Sequence, residues 1–240
     1  MRPDDPLATT GPLAILFDID GTLISTGGAG ARSWHWAFDT LYAVQADIGS
    51  FSEDGMTDPD VARRTFRGTI GREPTDREMA RVLAAYLERL PHEVESSAGY
   101  RVLPGAEQLL RRLCRTGYLL GIVTGALEAA AHFKLARGGL NSFFAFGGYG
   151  SDSADRGELT RRAIERAGAI VGRPIDAASV HVVGDTPKDI DAAHAVGAVA
   201  VGVASGRYSV DELRAAGADV ALQSLEDPIP GIDRASVATP

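Results

Sequence analysis

The feature that most constrains this chain is a short apolar run, Leu13-Ala14-Ile15-Leu16-Phe17, that ends in Asp18-Ile19-Asp20-Gly21-Thr22. Bounded by Pro12 and an acidic turn, and apolar at every position, the run reads as a strand buried on both faces of a parallel sheet. Its C-terminal end then carries two carboxylates, at the edge where open α/β sheets bind ligands. Asp18 and Asp20 are two residues apart, so extended backbone points both to one side. Gly21 allows a sharp exit, and the Thr22 hydroxyl is expected to tie the turn to itself. Carboxylates this close repel unless a cation lies between them or one keeps its proton. Beside a hard divalent ion such as Mg²⁺, one can stay ionised as a nucleophile while the other carries and returns a proton.

From Ala31 the pattern is helical, with Trp34, Ala37, Phe38, Leu41 and Tyr42 on one face. That texture continues from Phe51 to about Gly99, where Asp58-Pro59 opens a helix through Phe66 and Asp76 caps another through Leu90. Strand and helix then alternate. Helices are expected over 104–115, 127–136, 158–169, 188–196 and 210–216, and strands over 118–123, 143–146, 180–183, 198–203 and 220–222. Alternation at this pace implies right-handed crossovers and a parallel sheet covered on both faces. The expected fold class is α/β: a doubly wound, Rossmann-like core from 1–24 and 100–240, with an all-helical insertion over 25–99. Residues 1–11 and the chain from Pro228 onward read as tails.

Several functions are disfavoured. The glycine-rich link from Ser25 to Gly30 lacks the third glycine of a dinucleotide loop, and two aspartates facing it would repel a pyrophosphate, so it reads as a hinge. A net charge of −8 argues against nucleic-acid partners. No apolar run approaches the ~20 residues of a membrane span. The N-terminus lacks a secretion signal, so a cytoplasmic location is expected. Cys114, the single cysteine, cannot form an internal disulfide and is expected to fill the core in a reducing compartment. His132, His181 and His194 share no metal-ligand spacing, and neither a nucleophile elbow nor a P-loop is present.

Two more strand ends carry related chemistry. Ile122-Val123-Thr124-Gly125 offers a hydroxyl and helix N-terminal amides suited to a phosphoryl oxygen, and Val182-Val183-Gly184-Asp185-Thr186-Pro187-Lys188-Asp189 offers two further carboxylates. With Asp18-Ile19-Asp20-Gly21-Thr22, these segments resemble the first, second and fourth motifs of the haloacid dehalogenase-like hydrolase superfamily. The insertion resembles the cap of its helical-cap, phosphoglycolate phosphatase-like branch. The resemblance implies a Mg²⁺-dependent phosphatase for a small phosphorylated substrate. Asp18 would be the nucleophile, Asp20 the general acid and base, and Thr124 a phosphoryl ligand. Mg²⁺ would be held by Asp18, the main-chain carbonyl of Asp20 and Asp185, with Asp189 orienting that shell. The cap would close over the strand ends and exclude water.

The third motif departs from the common pattern. Most relatives carry a Lys, usually followed by Pro, before the helix that precedes the fourth motif, whereas here Asp155-Arg156-Gly157-Glu158-Leu159 stands there. Arg156 is the positional match for the balancing cation. Lys134 is the rival, but it lies about two turns into its helix and would have to reach back ~12 Å; a position on the surface, or behind the residues that touch substrate, is the alternative. Asp20 counts against haloacid dehalogenation, since halide departure needs no proton. A sugar-phosphate mutase keeps both aspartates and stays open, as does a weakly catalytic phospho-ligand-binding module. Phosphoglycolate is the small substrate the resemblance favours, and Gly55-Met56-Thr57-Asp58 with the link from Gly27 to Arg32 are the expected selectors. Either a monomer or a homodimer is compatible, with the aromatic face around Trp34 and Trp36 read as cap core in preference to a dimer surface.

Overall fold

Strand β1 (Ala14–Phe17) is buried at all four positions, and its side chains feed two different apolar clusters. Ile15 and Phe17 point into one, Ala14 and Leu16 into the other, which is the period-two consequence of a strand covered on both faces. The structure is a computed structural model describing residues 13–232. Its main sheet has six parallel strands in the order β5-β4-β1-β6-β7-β8. The others are β4 (Leu119–Thr124), β5 (Phe146–Tyr149), β6 (Val180–Gly184), β7 (Val199–Val203) and β8 (Val220–Leu222). Helices α6 (Arg156–Val171), α7 (Pro187–Val196) and α8 (Val210–Ala215) cover one face. Helices α4 (Ala106–Arg115) and α5 (Glu128–Arg137) cover the other.

The topology places a site. After β1 the chain builds outward through β4 and β5, then returns to the far side of β1 for β6, β7 and β8. The strand order therefore reverses around β1, and a crevice at that reversal is where doubly wound sheets take ligands. In register, Phe17 lies between Ile122 and Val183, so Asp18, Thr124 and Asp185 follow at one edge.

Helices α1 (Ala29–Tyr42), α2 (Asp58–Ile70) and α3 (Asp76–Ser96) lie between two short strands, β2 (Ile24–Ser25) and β3 (Arg101–Val102). These pair antiparallel, Ile24 with Val102 and Ser25 with Arg101. Two-residue strands leave no periodic signal, so sequence reading saw only a glycine link there. The link is braced: Arg32 pairs with Glu93 at 2.7 Å and donates to the Gly27 carbonyl, while Ser97 Oγ donates to the Thr26 carbonyl. Within the insertion, Trp34 is buried and stacks on Tyr86 at 3.8 Å, as expected of a core aromatic. Trp36 is half-buried beneath the Arg89 guanidinium.

Other expectations need correction. The strand expected at 143–146 lies three residues later, over Phe146-Gly147-Gly148-Tyr149. Two glycines dilute its apolar signal, yet a Cβ on Gly148 would collide with the Leu159 carbonyl of α6, so close packing excludes a side chain. Helix α3 is capped by Thr75 rather than Asp76, in a reciprocal pair with Glu78, and runs through Pro91 to Ser96 because Leu90 and Val94 keep its buried face. Cys114 is exposed, since Leu109, Leu110 and Leu113 already fill the buried stripe of α4. The C-terminal stretch is no free tail as far as Ile232: Ile229 and Ile232 are buried against the sheet cluster, and the Tyr118 hydroxyl donates to the Ile232 carbonyl. The expected tail at 1–11 and the residues after 232 lie outside the described residues.

Candidate active site

At the edge formed by β1, β4 and β6 lies a cleft of about 330 Å³ lined by Asp18, Asp20, Thr124, Lys134, Arg156 and Asp185, with Asp54, Gly55, Met56 and Asp58 of the insertion above. A larger groove of about 630 Å³ lies at the opposite edge, between the C-terminal halves of α6 and α7. Ile164, Pro174 and Ile175 line it, and no metal-holding acidic group lies there among the described residues, so the chemistry belongs to the smaller cleft.

Strand spacing explains the acidic cluster. β1 and β6 are neighbours about 4.8 Å apart, so the residues just past them emerge side by side. Asp18, Asp185 and Asp189 each offer a carboxylate oxygen, all within 4.8 Å of one another, and all three residues are buried. Burial first, then the neighbouring Asp189, pushes Asp18 from an ordinary 3.8 up to about 7, although Arg156 opposes the rise. Burial, followed by Asp18 and Asp189, pushes Asp185 up to about 8. An all-oxygen set of buried carboxylates that resist ionising together is what a hard divalent cation relieves. The residues therefore fit such an ion, with Asp18, Asp185 and Asp189 as the carboxylates able to face it.

Other groups fix these acids. Thr22 Oγ donates across to Asp185 Oδ1 at 3.1 Å, so the hydroxyl expected to tie its own turn instead steadies the second acidic strand end. Asp189 accepts from the Thr186 amide at 3.0 Å and hydroxyl at 2.7 Å, closing the first turn of α7, and its other oxygen accepts from Arg156. The same Arg156 Nη2 lies 3.3 Å from Asp18 Oδ1, while Nη1 donates to the Gly55 carbonyl. Burial would strip the guanidinium of its proton, but Asp189 and Asp18 outweigh it and hold the pKa above its usual range.

Lys134 is also at the site. Its side chain is 8% exposed and its Nζ lies 2.6 Å from Asp20 Oδ2, so the surface alternative does not hold. Burial works against the ammonium, yet Asp20, Tyr86 and Asp58 prevail and its pKa rises. The two candidate cations thus divide the acids, Arg156 on Asp18 and Asp189, Lys134 on Asp20. Asp20 stands apart from the three-carboxylate cluster by its side chain. Thr124 is buried in the cleft wall, and its Oγ1 accepts from the Ala126 amide at 3.2 Å.

The selector segments are only half realised. Gly55, Met56 and Asp58 line the cleft, but the link from Gly27 to Arg32 does not. Asp58, expected as a helix opener and as part of a selector loop, is buried, and its carboxylate accepts from the Leu127 amide at 2.8 Å. A charged residue opening an amphipathic helix is ordinary in sequence, so nothing local marked this contact. Arg207, at the cleft mouth and 3.8 Å from Asp54, was likewise unmarked.

Known proteins resemble this chain along most of its length. The family model for haloacid dehalogenase-like hydrolases matches residues 12–197. IndB of Dickeya dadantii, described as a probable phosphatase, is 28% identical over 224 residues, covering 89% of this chain and 90% of that protein. A phosphoglycolate phosphatase of Synechococcus elongatus is 28% identical over 223 residues, covering 89% and 94%. Among solved structures, CbbY from Rhodobacter sphaeroides in complex with phosphate superposes with a TM-score of 0.71 at 20% identity, covering 92% of this chain and 99% of that one.

Proposed function

Because this chain belongs to the haloacid dehalogenase-like hydrolase family, we propose that it hydrolyses small phosphate monoesters through an aspartyl phosphate on Asp18. The observation that carries the reading is the convergence of Asp18, Asp185 and Asp189 within 4.8 Å, with Arg156 bound to two of them and Asp20 held beside them by Lys134.

In this reading Asp18 attacks phosphorus in line and its oxygen becomes the bridging atom of the phosphoenzyme. Asp20 gives its proton to the departing ester oxygen, then takes one from the water that cleaves the acyl phosphate and so regenerates Asp18. Thr124 and the amides after it face a phosphoryl oxygen, and Arg156 offsets the charge on Asp18 so that a phosphate dianion can approach. Hydrolases of this family generally use a divalent metal. We assign Mg²⁺, held by Asp18, Asp185 and the Asp20 carbonyl with Asp189 behind; when bound it would neutralise and orient the phosphoryl oxygens. Lys134 keeps Asp20 turned toward the cleft. Residues 25–99 act as the cap, with β2 and β3 as the two connecting strands.

Phosphoglycolate is the substrate we place first, supported by the name of a relative and by the small cleft, about 330 Å³, that Gly55 and Met56 help to line. The test is release of inorganic phosphate from an aryl phosphate and from a panel of phosphorylated metabolites, with and without Mg²⁺. Turnover by the wild type and none by Asp18→Asn is expected. Activity undiminished in Asp18→Asn would overturn the mechanism, and transfer to a second sugar hydroxyl without free phosphate would mark a mutase.

A further inference from the structure

Helix α5 carries Lys134 but does not cap itself: the residue at its N-cap, Leu127, has no side chain that can accept from the first amides. The insertion supplies an acceptor. Asp58, the first residue of α2, accepts from the Leu127 amide at 2.8 Å and donates its own amide to the Gly125 carbonyl at 2.7 Å. A Cβ on Gly125 would collide with the Met56 carbonyl, so the two backbones meet there with nothing between them. Asp58 is itself buried, the Tyr86 hydroxyl lies against it, and Tyr86 stacks on Trp34. The contact is therefore rooted in the insertion's own core.

The other end of α5 is held from the same side. Arg137 donates to the Ser97 carbonyl at 2.7 Å and to that of Val94, closing the end of α3, and its guanidinium covers the Tyr100 ring at 4.6 Å. The Tyr100 hydroxyl in turn donates to the main-chain carbonyl of Lys134 at 2.8 Å. A core helix is thus gripped at both ends by the inserted segment and its return strand.

We infer that this two-ended clasp is what sets Lys134 against Asp20, and that Asp58 is a positioning residue for the proposed reaction rather than a substrate ligand. Withdrawing Asp58 would leave the Leu127 amide buried without a partner, and the first turn of α5 would have to shift to regain one. The Lys134 ammonium, with its carbonyl tied to Tyr100, would shift with the helix. Closure of the insertion and alignment of the lysine are then one event. The inference rests on the phosphatase reading only for the word reaction; the clasp is a property of the fold.

The sequence provides a clean probe, since Lys134 and Lys188 are the only lysines in the chain. Their side chains are 8% and 38% exposed. Trace acetylation followed by peptide mass spectrometry should label Lys134 about tenfold more slowly than Lys188 in the wild type, as expected for a group that reacts through local opening. Asp58→Ala should raise labelling of Lys134 at least about fivefold and lower kcat with KM within about twofold. Asp58→Asn keeps an oxygen able to accept from Leu127, so it should restore protection and recover most of the lost kcat. Lys134 equally protected in Asp58→Ala, or Asp58→Asn as damaged as Asp58→Ala, would overturn the clasp. Should Asp58→Ala fail to fold, Tyr100→Phe decides: removal of that one hydroxyl must raise Lys134 labelling, and unchanged labelling defeats the inference. Labelling needs no substrate, so a wild type that turns over no phosphate ester would sink the functional reading and leave this test intact.

Discussion

The two halves of the cleft are built by different means. Asp18, Asp185, Asp189 and Arg156 come from strand ends and helix first turns, and the spacing of adjacent strands alone brings the acids together. Asp20, Lys134 and Asp58 come from a turn, the middle of a helix and the inserted segment, and meet only because three layers pack. One half is local geometry repeated. The other depends on how the insertion lies on the core, so it can be lost while the sheet stays intact. In the proposed mechanism, charge neutralisation at phosphorus would then be built into the sheet, while proton delivery would depend on the seating of the insertion.

The largest expected effects separate the halves directly. Asp18→Asn removes the proposed nucleophile and should lower kcat by on the order of 10⁴ or more on every ester, measured by phosphate release. Asp20→Asn removes only the proposed proton donor and acceptor, so it should cost ~10²–10⁴ on alkyl phosphates. The loss in kcat/KM, which reports the first transfer, should shrink for an aryl phosphate with an acidic leaving group, where departure needs little protonation. Equal losses for both ester types would break the assignment of Asp20 and merge the two halves into one.

Much of the first half was legible in the chain, and for a physical reason. An apolar run followed by acids encodes both the strand and what its end presents, so Asp18, Asp185 and Asp189 could be assigned from short windows. Arg156 comes from the family resemblance, as the positional match for the third-motif cation; the helix start expected at 158 falls two residues inside α6. The second half was not. Nothing near residue 134 says that its side chain runs back to Asp20, and the ~12 Å reach counted along the helix axis ignored how α5 lies across the turn after β1. Thr22 misled for a similar reason, because its partner is 163 residues away. The sheet itself read well except at β5, where Gly147 and Gly148 removed the side chains that would have announced it.

A thermal measurement sharpens the contrast. Folded Asp18 and Asp185 hold protons up to about pH 7 and 8, against an ordinary 3.8. Raised carboxylate values mean that stability from these groups is fully present below about pH 4 and is lost as pH climbs through 7 to 8. The metal-free melting temperature should therefore fall between about pH 5 and pH 8.5, and the gain from added Mg²⁺ should grow over the same interval, because the cation takes the place of those protons. Asp185→Asn should flatten both trends. Lys134 is raised above its ordinary 10.5, so its contribution is complete below that value and constant through the window. Lys134→Met removes the cation that opposes the burial-driven rise of the Asp58 carboxyl, so it should steepen the slope, and a slope it leaves unchanged would show that Asp58 stays ionised without the lysine.

The smallest effect concerns the surface contacts that join the insertion to the core at the cleft mouth. Arg207 lies 3.8 Å from Asp54 and is 81% exposed, whereas the buried Asp58 contact to Leu127 is 2.8 Å. Exposed ion pairs contribute little because solvent and salt screen them and two long side chains must be ordered. Arg207→Ala should therefore move the melting temperature by less than about 2 °C. Its consequence belongs to encounter instead. Beside a net charge of −8, a single exposed cation at the mouth helps an anionic ester approach, so kcat/KM should fall by a few-fold at low ionic strength while kcat holds. The deficit should vanish near 0.5 M salt, roughly where the screening length has dropped below the width of the opening. A loss of kcat that salt does not rescue would move Arg207 from the approach path into the closed site, beside Lys134 and Asp58, and the conditional half of the cleft would then extend to the mouth.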